Sequence, residues 1–460
     1  MAVNTIIGTN SKDYITYIST LNFLDKRDIL NQVIDTTNEQ STIVDALELT
    51  GRVQITEVPE YSHLENQYLF KAPQITSIAA SPNGDVAGED IQFTLVDGTD
   101  PDWVPVVGEL VMFQNKKIAI VHTVSSLTIT AKPLDQANPI NPSGTSIAAN
   151  QYVIFFSMGA VEGSDDPSTR QAEWVRSQNN VQIFKEAGEI TDLQKVSSVE
   201  VLYNGKPYIM YKVQHDAYVR HKMKIANAMM FGKQSKLDAS ATNLAGKVYT
   251  TQGLRNYIFS GDGAVKTTGG ITKQYTSGSL AMADLRDFSR KLDKNQAPAE
   301  YWGYVGGDLW ADLDYLLTKD ERVKYGIRFD SFGSSDPSKR AIDLGFDSFK
   351  IYGRTFHLSK LAVLDHKGLF GATNFDFNKE GYFIPTDKIK VDAGGGTSDR
   401  MLMRVMAGDG TNFFPHMETV TGKLAPTPTN SKSVLHVSYQ TIAGLQVCGT
   451  DHFGCLYVTA

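Results

Sequence analysis

The 460-residue chain holds only two cysteines, Cys448 and Cys455, no run of 18 apolar residues, and none of the short motifs that mark common catalytic or nucleotide sites. Two thiols cannot staple a chain of this length, and their spacing fits neither a zinc ligand set nor a redox motif. The segment GLQVCGTDHFGCLYV reads as a hairpin, which leaves either a cross-strand disulfide or a reduced, buried pair, the second being the state expected after cytoplasmic synthesis. The lack of a long apolar run gives no reason to expect a membrane span, and the opening MAVNTIIGTNSKDY lacks the charged, greasy and small-residue succession of a secretory signal. A GxSxG elbow, an HExxH pair, a Walker loop and a dinucleotide fingerprint are all missing, which counts against an enzyme.

The remaining chemical constellations are weak. Asp97, Asp100 and Asp102 do not follow the EF-hand spacing and read as a turn cluster. His215 and His221 are six apart, so on a helix they face different ways. Gly394 to Gly396 offer backbone N–H groups to an anion but read first as a loop. Tyr208, Tyr211 and Tyr218 admit base stacking, with packing at helical spacing the default. Asp312 and Asp314 are an acid pair on a helix, the only foothold for a polysaccharide-active enzyme. No cofactor or metal is expected.

What the chain does have is a charge asymmetry. The net −7 divides after Gln178 into 22 acids against 10 bases, then 29 acids against 34 bases. The acidic first part suits docking on the basic second part of another copy, although two differently charged domains give the same numbers. Within the second part, residues 206–236 carry seven Lys/Arg against one acid, Asp216. Tyr211, Tyr218 and Ile225 recur every seven residues, and Ile209, Val213 and Ala217 every four. That spacing predicts one long helix over 207–232, roughly 39 Å at 1.5 Å per residue. A long surface helix of an ordinary α+β enzyme shows the same pattern.

Around it the sequence divides cleanly. Residues 1–50 mix short helical pieces such as DKRDILNQVID and STIVDALELT with polar joints; they predict an arm that orders only against something else. GRVQITEVPEYSHLENQYLFKA is extended and reads as one limb of a β-loop, with VEGSDDPSTRQAEWVRSQ as the other. Between the limbs, 75–158 is strand after strand (ITSIAA, DIQFTLVDG, ELVMFQ, KIAIVHTVSSLTITAKP, YVIFFSMG), with eight acids and three bases. It predicts a small barrel whose ends return together. NNVQIFKEAGEITD is β-patterned. Later, Ala281, Leu285, Phe288 and Leu292, then Leu309, Leu313, Leu316 and Leu317, predict two helices with one buried face each. PAEYWGYVGGDLW reads as a strand feeding the second of them. FDSFKIYGRTFHLSKLAVLD, GYFIPTDKIKV, MLMRVMAGDG, SVLHVSYQTIAGLQVCG and CLYVTA predict closing strands.

This succession resembles the major capsid proteins of tailed bacteriophages, the Johnson fold, over essentially the whole chain. The local echoes are NNVQIFKEAGEIT, the long helix, GYFIPTDKIK and QTIAGLQVCGTDHFGCLYV. The resemblance implies an α+β subunit with an N-terminal arm (1–50), an E-loop (51–74 and 159–178), an all-β insertion domain (75–158) and a peripheral domain with a spine helix (179–245). An axial domain (246–374) and closing strands shared by both (375–460) follow. The insertion resembles those of some larger phages, such as crAss-like phages of gut Bacteroidetes. The implied function is a non-enzymatic subunit of an icosahedral virion shell, assembling into hexamers and pentamers around packaged double-stranded DNA. Implied partners are other copies, a portal, a separate scaffold and decoration proteins, with DNA met non-specifically on the inner face and no membrane. On this reading Arg52, Glu57, Glu60 and Glu65 of one copy's E-loop meet the spine helix of the next, with Arg220, Lys222 and Lys224 as the matching bases. The rival reading is a tail or surface adhesin that works through 75–158.

Overall fold

Alternation in VLHVSYQTIAGLQV makes Val434–Val447 the longest strand of the chain, with Leu435, Val437, Tyr439 and Ala443 turned inward. The structure is a computed structural model and describes residues 42–66, 73–96, 105–160, 162, 174–191, 202–203, 206–238, 246–263, 266, 269–318, 348–366, 376–391, 396–408, 411–412, 416–421, 429 and 431–458. Among the described residues the strands before the long helix are β1 (Val53–Thr56), β2 (Glu60–Asn66), β3 (Ile75–Asn83), β4 (Ile91–Leu95), β5 (Glu109–Met112), β6 (Ile118–Ser125), β7 (Thr128–Pro133), β8 (Ile154–Met158), β9 (Trp174–Asn180), β10 (Gln182–Thr191) and the two-residue pair Leu202–Tyr203 and Lys206–Pro207. The architecture is α+β.

The Val434–Val447 strand pairs antiparallel with the whole of β10, from Gln182 opposite Ala443 to Thr191 opposite Val434. On its other side it pairs with His416–Val420 along its first half and with Met401–Gly408 along its last part, beyond which β1 lies parallel. Over this sheet runs the long helix, Tyr208–Phe231, 24 residues and therefore about 36 Å long. Ala217, Ile225, Met229 and Met230 are buried beneath it. The predicted helix stands to within a residue at each end; Tyr208, Tyr211, Ile209 and Val213 carry no described side chains.

A second sheet runs in the order Ile271–Gln274, Gly454–Tyr457, Gly381–Pro385, Glu300–Val305, Arg354–Lys360, Ser348–Ile351. Its central strand, GYFIP, is buried at all five positions because both faces are covered. Tyr382 and Ile384 face the core shared with the long helix, while Phe383 faces a second core. That second core is closed by the helices Met282–Lys294 and Gly307–Thr318 through Leu285, Phe288, Leu292, Leu309, Leu313 and Leu316. Ala281 is not on the buried face as expected: it caps the first of these helices, exposed, and Met282 takes the inward place.

The 75–158 segment forms a six-stranded sheet, β3-β4-β7-β6-β5-β8. Its two ends approach where Gln74 bridges Tyr152 and the Ile75 N–H donates to the Gln151 carbonyl at 2.8 Å, as a barrel requires. Its core, with Phe93 edge-on to Phe113 at 5.4 Å, draws only on residues between Ile75 and Phe155.

Three expectations are corrected. The end of the arm does not wait for another surface. Thr42 and Asp45 form a capping box, and the helix Ile43–Leu49 buries Ile43, Val44 and Leu47 in the chain's own first core. Next, β1 is no limb of the β-loop but an edge of the main sheet, so the ribbon begins only at Glu60. Finally, the cysteines are not on one hairpin. Gly449 takes a left-handed conformation, a short 3-10 turn at Thr450–His452 follows, and the chain crosses to the second sheet. Cys448 and Cys455 are free, the first half-buried and the second buried.

Candidate assembly surfaces

Strands β2 and β9 pair antiparallel from Glu60 opposite Asn180 to Asn66 opposite Trp174, forming a two-stranded ribbon that leads to the barrel. Alternation gives the ribbon two faces. Tyr61, His63 and Glu65 point to the body together with Ser177 and Asn179, while Leu64, Trp174 and Arg176 are exposed on the other side.

The inward face is clamped. The Tyr61 hydroxyl donates to the Leu445 carbonyl at 2.8 Å, and the Asn179 amide donates to the same carbonyl at 2.7 Å. The Asn179 side-chain oxygen accepts from the Gln252 N–H at 2.9 Å, so this buried amide is bonded from both ends. Gly444 makes the approach possible: a Cβ there would lie 2.6 Å from both the Asn180 carbonyl oxygen and the Tyr61 hydroxyl.

Further along, Glu65 accepts from the Lys266 ammonium at 2.6 Å and from the Gly449 N–H at 2.8 Å, with the His63 ring 2.9 Å away. Burial alone would raise the Glu65 carboxyl; His63, Lys266 and the Gly449 N–H outweigh it and hold the group at about 2. Burial likewise opposes a charged His63, yet Cys448 and Glu65 beside it push the imidazole up to about 9. Lys266, itself buried, is raised despite its burial by Glu65 and Asp451. One short loop holds both strands, since Asp262 accepts the Gln178 N–H of β9 at 2.9 Å and the Lys266 N–H at 2.8 Å.

The seven residues expected to join neighbouring copies are mostly engaged inside the chain. Glu60 pairs with Lys236 and Glu65 with Lys266, rather than with the long helix. On that helix, Arg220 and Lys224 share Glu186 of β10, and Lys222 meets Asp45 of the arm helix at 2.8 Å. Arg52 lies 3.5 Å from Asp399. The exposed pairs among these serve mainly to fix register, whereas Glu65–Lys266 is buried. Glu57 alone of the seven is exposed without an ion partner among the described residues.

The acid pair offers no carboxylate couple of use to a hydrolase. Asp312 accepts the Gly278 N–H at 3.1 Å, and no group of three or more potential metal ligands occurs among the described residues. His221 is buried with its ring bonded to the Thr441 hydroxyl at 2.8 Å, and Tyr218 packs on Tyr439. The Asp97–Asp102 cluster and Gly394–Gly395 lie outside the described residues. Among the described residues no helix is long and apolar enough to cross a membrane.

The family model for the SU10 major capsid protein matches residues 10–335. The chain belongs to that family. It is a phage major capsid protein, a structural rather than enzymatic subunit of a virion shell. No curated protein matches the sequence. Similar solved structures include a chain of Mycobacterium phage Ogopogo, 10% identical, covering 95% of this chain and 98% of that one at a TM-score of 0.43. A chain of Microbacterium phage Oxtober96 is 11% identical, with coverage of 95% and 97% and a TM-score of 0.42. The capsid of Myoviridae phage XM1 is 10% identical, with coverage of 94% and 97% and a TM-score of 0.39. For this capsid protein the parts legible in advance were the ribbon, the barrel and the long helix. The clamp was not, because Glu65 and Lys266 are 201 residues apart in sequence.

Proposed function

We propose that copies of this chain close into rings of six and five, and that the rings close into a shell around double-stranded DNA. The observation that carries the reading is the clamped ribbon: two strands fixed to the body stand next in sequence to a separately cored β-barrel, a division that suits repeated contacts in a closed ring. The six-part division of the chain given by the resemblance belongs to the same proposal. So do a portal and separate scaffold and decoration proteins.

DNA is enclosed rather than gripped on this reading. Arg220, Lys222 and Lys224 each already face a carboxylate of the same chain, which leaves them little charge to offer phosphates. Negative-stain microscopy of the full chain, alone and with co-expressed virion proteins, tests the proposal. Rings, sheets or shells are expected; a particle that remains monomeric at every salt concentration and in both settings would sink it.

A further inference from the structure

The outside of the barrel is two-sided. Register places Met112 of β5 beside both Ile154 of β8 and Ile118 of β6, and Leu110 beside Ile120. With Phe156, these six side chains make one apolar half over β8, β5 and β6. Ile154 is 46% and Phe156 45% exposed, although both sit on strands of a domain whose own core is complete without them. On the other half, the outward positions of β4 and β7 are Gln92, Thr94, Thr128, Thr130 and Lys132, with Val86, Val96 and Leu134 exposed at the strand ends and turns. Single exposed apolar residues are ordinary, whereas six brought together by strand register mark a contact.

Two exposed lysines border the apolar half. The insertion's bases are Lys116, Lys117 and Lys132. The first two sit in the turn between Met112 and Ile118, and Lys132 lies opposite Ile120 on the neighbouring strand. Lys117 is tied to the Pro139 carbonyl, while Lys116 and Lys132 are exposed. Of the acids, Asp85, Glu89, Asp90 and Asp135 lie around the β3–β4 turn and after β7, while Glu109 opens β5 and accepts the Val106 N–H at 2.9 Å. The apolar half is therefore bordered by the exposed Lys116 and Lys132, and its complement is an apolar knob beside a carboxylate.

The chain itself carries such a knob. Between β1 and β2, Glu57 is flanked by Ile55, 60% exposed, and Val58, 54% exposed. We propose that the apolar half of the barrel docks on the Ile55–Glu60 turn of a second copy, with Glu57 facing Lys116 or Lys132. The proposal rests on the reading that copies assemble, and it names the surfaces that meet. Charge pairing at such a rim steers and orients more than it binds, the apolar centre supplying the affinity.

The test uses the full chain. A photo-cross-linking amino acid at Phe156, in a mixture of isotopically light and heavy copies, should give an adduct within residues 55–60 of the other copy. In parallel, the double substitution Lys116→Glu/Lys132→Glu should raise the concentration needed for assembly at least tenfold, and Glu57→Lys added to it should restore most of that loss. Thermal unfolding of the charge variants should match the parent, since both lysines are exposed. Adducts elsewhere, or a charge defect that Glu57→Lys does not relieve, overturn the assignment and point to another virion protein on this face. Shells without the 55–60 adduct defeat this inference while leaving the shell reading intact; the adduct without shells does the reverse.

Discussion

At the ribbon base, single charges decide how tightly the stem is held. Glu65 sits at about 2, below its ordinary 4.5, so the stability it contributes is present above about pH 4.5 and drains away as pH falls towards 2. His63 is held at about 9, above its ordinary 6.5, so its contribution is complete below about pH 6.5 and is lost as pH rises through 9. Both are whole only between about 4.5 and 6.5. Thermal unfolding followed across pH should therefore show a decline from 6.5 to 9 that His63→Gln flattens; a decline of equal slope in the variant would remove His63 as its source. Glu65→Gln leaves the buried Lys266 with only Asp451, 3.4 Å away, and should cost about 3 kcal/mol in denaturant melts near neutral pH. None of this was legible in the sequence, because Glu65, Lys266 and Gly449 are brought together only by the fold. Extended patterning marked Glu57, Glu60 and Glu65 alike as exposed acids; Glu57 and Glu60 are, while Glu65 faces inward against Lys266, a difference local pattern does not carry.

Secondary structure was read more easily than its attachments. The long helix and the NNVQIFKEAGEITD strand follow from periodicity, the helix lying over the sheet of which the strand is a member. By contrast VQIT alternates just as a ribbon limb would, and only its parallel pairing with Met403 to Met406 shows it to be a sheet edge. The arm helix is a similar case. Seven residues are too few to be stable in water, so isolation was the natural expectation, and the missing information was the pocket that takes Ile43, Val44 and Leu47. Leu47→Ala should lower stability by about 2 kcal/mol or more and abolish hydrogen-exchange protection over 43–49. Protection that survives the change would mean that Lys222 and the capping box, not the apolar face, pin this helix.

For the molecule as a whole, the decisive property is separability. Every buried member of the barrel core lies between Ile75 and Phe155, so the barrel shares no core residue with the body. A fragment spanning 73–160 is expected to unfold cooperatively by calorimetry, with strand-type circular dichroism. A fragment that shows neither would mean that the ribbon or the body completes it. The order of ribbon, barrel, long helix and closing strands was legible because each keeps its own pattern of alternation, while residues 1–41 of the expected arm lie outside the described residues. The crossing from Cys448 to Cys455 was not, since a left-handed glycine and one 3-10 turn send the chain to another sheet where a hairpin would look identical in sequence.

The loop bearing Asp262 and Lys266 grips both strands of the stem at once, four residues apart. Neither strand can therefore peel away by itself. A pull on either ribbon strand is passed on to a loop that runs on through Gly270 into Ile271–Gln274, an edge strand of the second sheet. Because Tyr61 and Asn179 also hold the ribbon to Leu445 of the first sheet, a load on the stem is shared between two sheets and cannot be shed by one of them alone.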